Sequence, residues 1–177
     1  TGSSTSNTGV SLGAQNGNTA FIATIKSGGD TTVNGTGLNG VKVWDASSIT
    51  ANNINITGNA VTTTTAQTGN GVEFQRFPKA ATLTANNDIN IEGTIGGLGT
   101  GSGIKTSWSG QSGNGPAMTA TNGNFTLRGN NRAATSNTQA AINADSGMQV
   151  KTGKNIVVQA ETNNDAARAM VFYSLGD

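Results

Sequence analysis

The chain contains no cysteine and no histidine. It therefore cannot form disulfide bonds or use a thiolate, and it lacks the side chain that most often acts as a general base near neutral pH. Charged residues make up 11% of the sequence, and the formal net charge is +1. Such a balance gives no electrostatic footprint for nucleic acid or an anionic membrane, and no apolar run is long enough to span a bilayer. We expect no nucleic-acid partner and no membrane insertion.

Aromatic residues are scarce as well, at 5%, and only two prolines occur, whereas glycine contributes 26 of the 177 residues. Threonine and asparagine are also abundant, and all three of these residue types form helices poorly. Low charge and regularly placed Val and Ile argue against a disordered chain. The composition favours an all-β domain, and the length suits one domain with a real core.

A repeated apolar pattern runs through this polar background. Segments with the same beginning recur roughly every 31 residues, which indicates stacked structural units. A second phrase recurs between them, first over residues 49–58 and then over residues 83–93, with weaker copies starting at Ile25, Met118 and Val150. The repeated segments begin at Val10, Val41, Val72, Ile104, Ile142 and Val171.

Within one repeat, apolar and polar residues alternate as in short strands with one buried face. Val41 and Val43 flank Lys42, and Ile54 and Ile56 flank Asn55. Asn and Gly pairs lie between these strands, where the backbone must turn. Three strands and three turns per repeat predict a parallel β-helix of about six coils, which is a solenoid.

This arrangement predicts columns of side chains along the solenoid. Asn52 and Asn86 should occupy one turn and pair their amides. In the outward column we expect Lys42, Glu73 and Lys105 to form an exposed charge ladder. The predicted buried columns are Val10, Val41, Val72, Ile104, Ile142, Val171; Ile25, Ile49, Leu83, Met118, Val150; and Val33, Ile56, Ile91, Leu127, Val158. The predicted outward column is Ser11, Lys42, Glu73, Lys105, Asn143, Phe172.

Two phrases carry a family resemblance, one over residues 83–93 and the other over residues 68–74. They resemble the repeats of bacterial adhesins exported by two-partner secretion, namely the filamentous haemagglutinin-like and high-molecular-weight adhesins. The passenger domains of autotransporters are similar. The resemblance implies a right-handed β-helix on the cell surface or in the medium, exported by an outer-membrane secretion partner. Residues 1–177 are then interpreted as one β-helical segment excised from a larger exoprotein.

Catalysis is not expected. The nine acidic residues are dispersed along the sequence rather than clustered, and no nucleophile, phosphate-loop or repeated calcium-binding motif occurs. We predict no catalytic residue, no metal site and no cofactor. A β-helical enzyme that degrades acidic polysaccharides stays an alternative, which an activity screen on such polysaccharides would reveal.

A candidate binding site follows the first strand of three successive coils, where both Trp residues of the chain fall. An aromatic ring can stack on a sugar, and amides and hydroxyls can hydrogen-bond to the sugar's hydroxyl groups. The guanidinium group of Arg76 can bind the carboxylate of a sialylated glycan through two N–H groups. The sequence predicts that this corner binds a host cell-surface glycan or glycoprotein. The predicted site residues are Trp44, Asp45, Gln75, Arg76, Phe77, Ser107, Trp108 and Gln111.

Other interpretations of the chain stay open. In the first, the segment is a structural shaft with no ligand, and each aromatic residue shields the rod under its own loop. In the second, it belongs to the delivery rod of a contact-dependent toxin system that recognises a bacterial receptor protein. Three Asn-X-Ser/Thr sequons, at Asn34, Asn55 and Asn124, are candidate glycosylation sites, and Asn55 is expected to be the most accessible.

Overall fold

The computed structural model describes residues 1–5, 7–16, 19–44, 46–76, 79–108, 115–132, 140–145, 147–163 and 168–172. Every regular element in these ranges is a β-strand. Accordingly, none of them contains a helix long and apolar enough to cross a membrane. The strands are short because turn-forming Asn and Gly residues interrupt the apolar alternation every few residues.

The strands repeat in a fixed order around the coils. The first coil contains β1 (Gly2–Ser3), β2 (Thr8–Leu12), a hairpin of β3 (Ala14–Asn16) and β4 (Thr19–Phe21), and β5 (Thr24–Lys26). The second contains β6 (Thr31–Gly37), β7 (Asn39–Val43) and β8 (Ser48–Ala51), and the third contains β9 (Ile54–Thr62), β10 (Val72–Arg76) and β11 (Thr82–Ala85). The fourth contains β12 (Ile89–Gly97), β13 (Ser102–Trp108) and β14 (Ala117–Ala120), and the fifth contains β15 (Phe125–Asn131), β16 (Ala140–Ala144) and β17 (Gln149–Thr152). The sixth begins with β18 (Ile156–Thr162) and β19 (Arg168–Phe172).

Equivalent strands of successive coils pair into three parallel sheets. Sheet A has the order β1-β6-β9-β12-β15-β18, sheet B the order β2-β7-β10-β13-β16-β19, and sheet C the order β5-β8-β11-β14-β17. Only the β3–β4 hairpin among these strands is antiparallel. The predicted all-β parallel solenoid is confirmed. The coil count falls slightly short of six, since the last coil has no described strand in sheet C.

The register confirms the stacking of the predicted columns with one error at the end of the solenoid, whereas the predicted burial fails at Val158, which is 36% exposed in the last coil. The columns that begin at Ile25 and Val33 stack residue by residue as expected. In sheet B, however, Ile142 pairs with Met170, and Val171 pairs with Asn143. The prediction was therefore wrong by one residue in β19, and Val171 rather than Phe172 continues the outward column.

The core lies between the three sheets and is filled by the inward columns. Phe74, Leu83 and Ile91 are at most 1% exposed. Burying such a side chain contributes roughly 1.5–3 kcal/mol, and every complete coil adds several of them to the same continuous core. The solenoid is thus stabilised by contacts between coils, which a single coil could not provide.

A polar ladder runs along the turn that precedes sheet A, although not through the residues predicted. The Asn53 amide donates to Asp30 (2.7 Å), the backbone N–H of Asp88 donates to Asn53 Oδ1 (3.1 Å), and that of Asn124 donates to Asp88 Oδ1 (2.7 Å). Asn52 does share a turn with Asn86, because Asn86 N–H donates to Ala51 O, but the amide that pairs with Asn52 is that of Asn87. The predicted Asn52–Asn86 amide pair was wrong.

Sheets A and B of one coil approach each other closely at paired glycines. In the third coil, a Cβ added at Gly58 in β9 would overlap the carbonyl oxygen of Gly71, just before β10. Gly58 lies in a column with glycines of the neighbouring coils. The equivalent contacts there are Gly35 with Gly40, Gly93 with Gly103 and Gly129 with Ala141. The narrow A–B edge therefore depends on the absence of a side chain at Gly58 and its equivalents.

Candidate functional site

The candidate site lies where the chain passes from sheet B to sheet C, which we call the B–C corner. In each coil it comprises the outward residues at the end of the sheet B strand and the connection that follows. Trp44 follows β7, Arg76 ends β10 and Trp108 ends β13, so three successive coils deliver their aromatic and basic residues to this one corner. The solenoid topology explains this, since each coil makes the same passage once.

A buried carboxylate forms the centre of the corner. Glu73 in β10 is only 6% exposed. Its Oε1 accepts hydrogen bonds from Ser107 Oγ (2.8 Å) and Gln75 Nε2 (3.1 Å), and its Oε2 accepts one from Asn70 Nδ2 (3.2 Å). Lys42 Nζ lies 3.6 Å from Oε2. Since Lys42, Glu73 and Ser107 belong to β7, β10 and β13, this network ties three coils together.

The network corrects the predicted exposed charge ladder. Glu73 is buried and fully partnered, and it pairs with Lys42 alone: the described residues form no second ion pair, so Lys105 has no anionic partner among them. The alternation of outward residues was predicted, but their burial was not. Asn70 and Gln75 donate hydrogen bonds to the Glu73 carboxylate and help to bury it. The alternation of residues along the strand does not predict this burial.

The ionisation of Glu73 follows from these contacts. Burial acts to raise the pKa of its carboxyl group, because it disfavours the charged form. The Lys42 ammonium and the hydrogen bonds from Ser107, Gln75 and Asn70 outweigh this effect, so the pKa lies below its ordinary value. Glu73 is therefore an anion at neutral pH, and its charge is committed to the network.

Trp44 is held in place by neighbours from its own coil and the coil before it. Its indole Nε1 donates to Ser11 Oγ at 3.0 Å, and Lys42 Nζ lies 4.4 Å from the ring centroid. This cation–π contact covers part of the ring, and the side chain is half-buried. The ring orientation is thus fixed, with its polar N–H already engaged.

The structure brings three of the predicted site residues together. Lys42 contacts both Trp44 and Glu73, and Gln75 and Ser107 donate to the same carboxylate. The backbones of Arg76 and Trp108 pair in register, one residue beyond the row of Gln75 and Ser107. Their side chains, together with Asp45, Phe77 and Gln111, lie outside the described part of the structure.

The sequence interpretation missed two other residues of this corner. Phe21 and Ile22 end the hairpin inserted between β2 and β5, and they are 56% and 58% exposed. Their position between the sheet B and sheet C strands of the first coil could have signalled this, since Trp44 and Trp108 lie at the equivalent passage of later coils. The apolar content of the corner is therefore larger than predicted.

The described charges of the corner leave a small positive excess. Lys42 and Lys105 lie in the outward column with Glu73, while Asp145 follows β16 at the level of Ser107. Lys79 lies exposed in the connection between β10 and β11, so the described corner holds three cations and two anions, a net formal charge of +1. Among the described residues, moreover, no three acidic side chains are grouped so that they could hold a metal ion.

None of the three sequon asparagines is fully exposed. Asn34, Asn55 and Asn124 are all half-buried. The Asn124 amide donates to Asp88 Oδ1 (3.2 Å), whereas the Oδ1 of Asn55 accepts from Asn90 (3.0 Å). The nitrogen that glycosylation would modify is thus engaged at Asn124, and occupancy at the three sites stays a prediction.

Comparison of the chain with protein-family models, with curated proteins and with solved structures gives no match.

Proposed function

We propose that this chain is a β-solenoid segment of a bacterial surface or secreted adhesin, and that its B–C corner attaches to host glycans. The observation that carries the proposal is the delivery of aromatic residues to one corner of the rod by successive coils. Phe21, Trp44 and Trp108 all belong to passages from sheet B to sheet C. In a chain with 5% aromatic residues, this concentration favours a ligand surface.

The scaffold suits recognition by a surface of this kind. Parallel strands hold the corner residues of neighbouring coils about 4.8 Å apart, and the Glu73 network locks their relative positions. Trp44 is oriented before any ligand arrives, which lowers the entropic cost of binding. The proposal includes export by an outer-membrane partner, as the adhesin resemblance implies.

Substitution of the two predicted contact residues tests the glycan site. We expect Arg76→Ala and Trp108→Ala each to weaken binding to a glycan array by about tenfold, which corresponds to about 1.4 kcal/mol. Arg128→Ala is the matched control, because Arg128 is an exposed arginine on the outer face of sheet A, in register with Glu92. Unchanged binding by both corner variants would discard these residues as the site.

The structural shaft is a second candidate, and the Glu73 network favours it. Four side chains from three coils satisfy this one carboxylate, and the Trp44 N–H is used to hold Ser11. By linking neighbouring coils, these contacts explain the presence of the residues without any ligand. A shaft predicts that the wild-type protein binds no glycan on the array, and an adhesin predicts that it does.

A further inference from the structure

The base of the β3–β4 hairpin presents an exposed apolar surface on the B–C corner. The side chains of Phe21 and Ile22 are more than half exposed, whereas Trp44 is half-buried beneath Lys42. Large exposed apolar side chains placed next to one another on a soluble surface often mark a binding site. Phe21 and Ile22, which we call the hairpin-base patch, offer more free apolar surface than Trp44 does.

Specific contacts fix the position of this patch. Phe21 pairs with Ala14 in the hairpin, and the Ala23 N–H donates to Ser47 Oγ at 3.2 Å. Gly13, with φ of 82°, makes the turn into the hairpin. A Cβ there would lie 2.6 Å from Phe21 O and 3.2 Å from Trp44 Cβ, so the return strand packs against the corner. The patch is therefore held beside Trp44 by the hairpin itself.

A row of hydroxyl groups lies beside the patch on the outer face of sheet C. Thr24, Ser48 and Thr82 are in register on three successive coils, and Ser48 N–H donates to Ala23 O (2.8 Å). Within the described part of the chain their side-chain hydroxyls make no hydrogen bond, and none of the three is buried. They form free donors and acceptors spaced by about 4.8 Å along the rod.

We infer that a neutral glycan stacks an apolar sugar face on Phe21 and Ile22 and directs its hydroxyl groups to the Thr24–Ser48–Thr82 row. This inference rests on the proposed adhesin function and deepens it. Sugars combine apolar faces with rims of hydroxyl groups, and the patch and the row supply both complements side by side. Neither the patch nor the hydroxyl row carries a charged side chain, so the contacts that they offer match a neutral sugar.

Two oligosaccharide probes test the inference: the neutral tetrasaccharide lacto-N-neotetraose and its terminally sialylated form. We expect wild-type protein to bind the neutral probe at least as tightly as the sialylated one. Phe21→Ala should weaken neutral binding by more than about tenfold, and Thr24→Val by about threefold or more. Leu98→Ala is the control, since Leu98 is 62% exposed but follows β12 at the passage from sheet A to sheet B.

The outcomes separate this inference from the adhesin proposal. If the wild type binds the sialylated probe or other array glycans but not the neutral one, or if Phe21→Ala binds as the wild type does, the inference is wrong and the adhesin proposal survives. If the wild type binds no glycan on the array, both fail. Far-ultraviolet circular dichroism should show all three variants folded, because each substituted side chain is exposed.

Discussion

Replacing Gly58 with alanine is expected to lower the free energy of unfolding by more than about 3 kcal/mol. Its new Cβ would overlap the carbonyl oxygen of Gly71, which belongs to the backbone and cannot rotate away as a side chain can. Relief requires sheets A and B to separate, which disturbs the core beneath them and the register with the coils on either side. Urea unfolding followed by circular dichroism measures the change.

Gly96→Ala is the matched control for this prediction. Gly96 lies in β12, on the same sheet, and a Cβ there would meet no atom within 4 Å. We expect its unfolding free energy to stay within about 0.5 kcal/mol of the wild type. Equal stabilities for the Gly58 and Gly96 variants would contradict the close approach of sheets A and B.

Replacing Glu73 with alanine is expected to cost on the order of 3 kcal/mol. The substitution leaves Lys42 without its counter-ion and removes the acceptor of Ser107, Gln75 and Asn70. Buried donors that lose their acceptor carry the full cost of desolvation. Urea midpoints compared with those of Glu92→Ala, an exposed glutamate on sheet A, measure the effect, and the control should change by less than about 0.5 kcal/mol.

The same carboxylate makes stability dependent on pH in a defined direction. Because the pKa of Glu73 is lowered in the folded state, its contribution is fully present above the ordinary pKa of a glutamate. That contribution is lost as the pH falls below about 4.3 and through the lower pKa of the folded protein. Urea unfolding at several acidic pH values should show that Glu73→Gln loses this part of the acid dependence. If the Glu73→Gln protein is as acid-sensitive as the wild type, the dependence belongs to other groups.

The sequence pattern predicted most of the fold because one period repeats across it. Each coil must bury its Val, Ile and Leu residues against the next, so the columns through Ile49 and Ile56 follow from alignment of the repeats. The error in β19 arose where alternation disappears. Met170, Val171 and Phe172 are all apolar, so their pattern allows either register.

The details of the candidate site depend on contacts that periodicity does not encode. Alternation predicted that Lys42 and Glu73 face outward, but whether an outward residue is buried depends on the turns around it, here on Asn70. The position of Trp44 was predicted, whereas its bond to Ser11 comes from the neighbouring coil. The hairpin that presents Phe21 interrupts the repeat. Alignment of the repeats therefore did not predict its exposed apolar residues.

The stacking of the coils in the stated register can be measured directly with introduced cysteines. The chain has no cysteine of its own, so pairs of them can be labelled with pyrene without background. Thr50 and Thr84 are neighbours across β8 and β11, about 4.8 Å apart, whereas Glu92 lies on the outer face of sheet A. We expect strong excimer emission from the Thr50→Cys/Thr84→Cys protein and monomer emission from Thr50→Cys/Glu92→Cys. Monomer emission from the first pair would contradict the stacked coils on which the shared B–C corner depends.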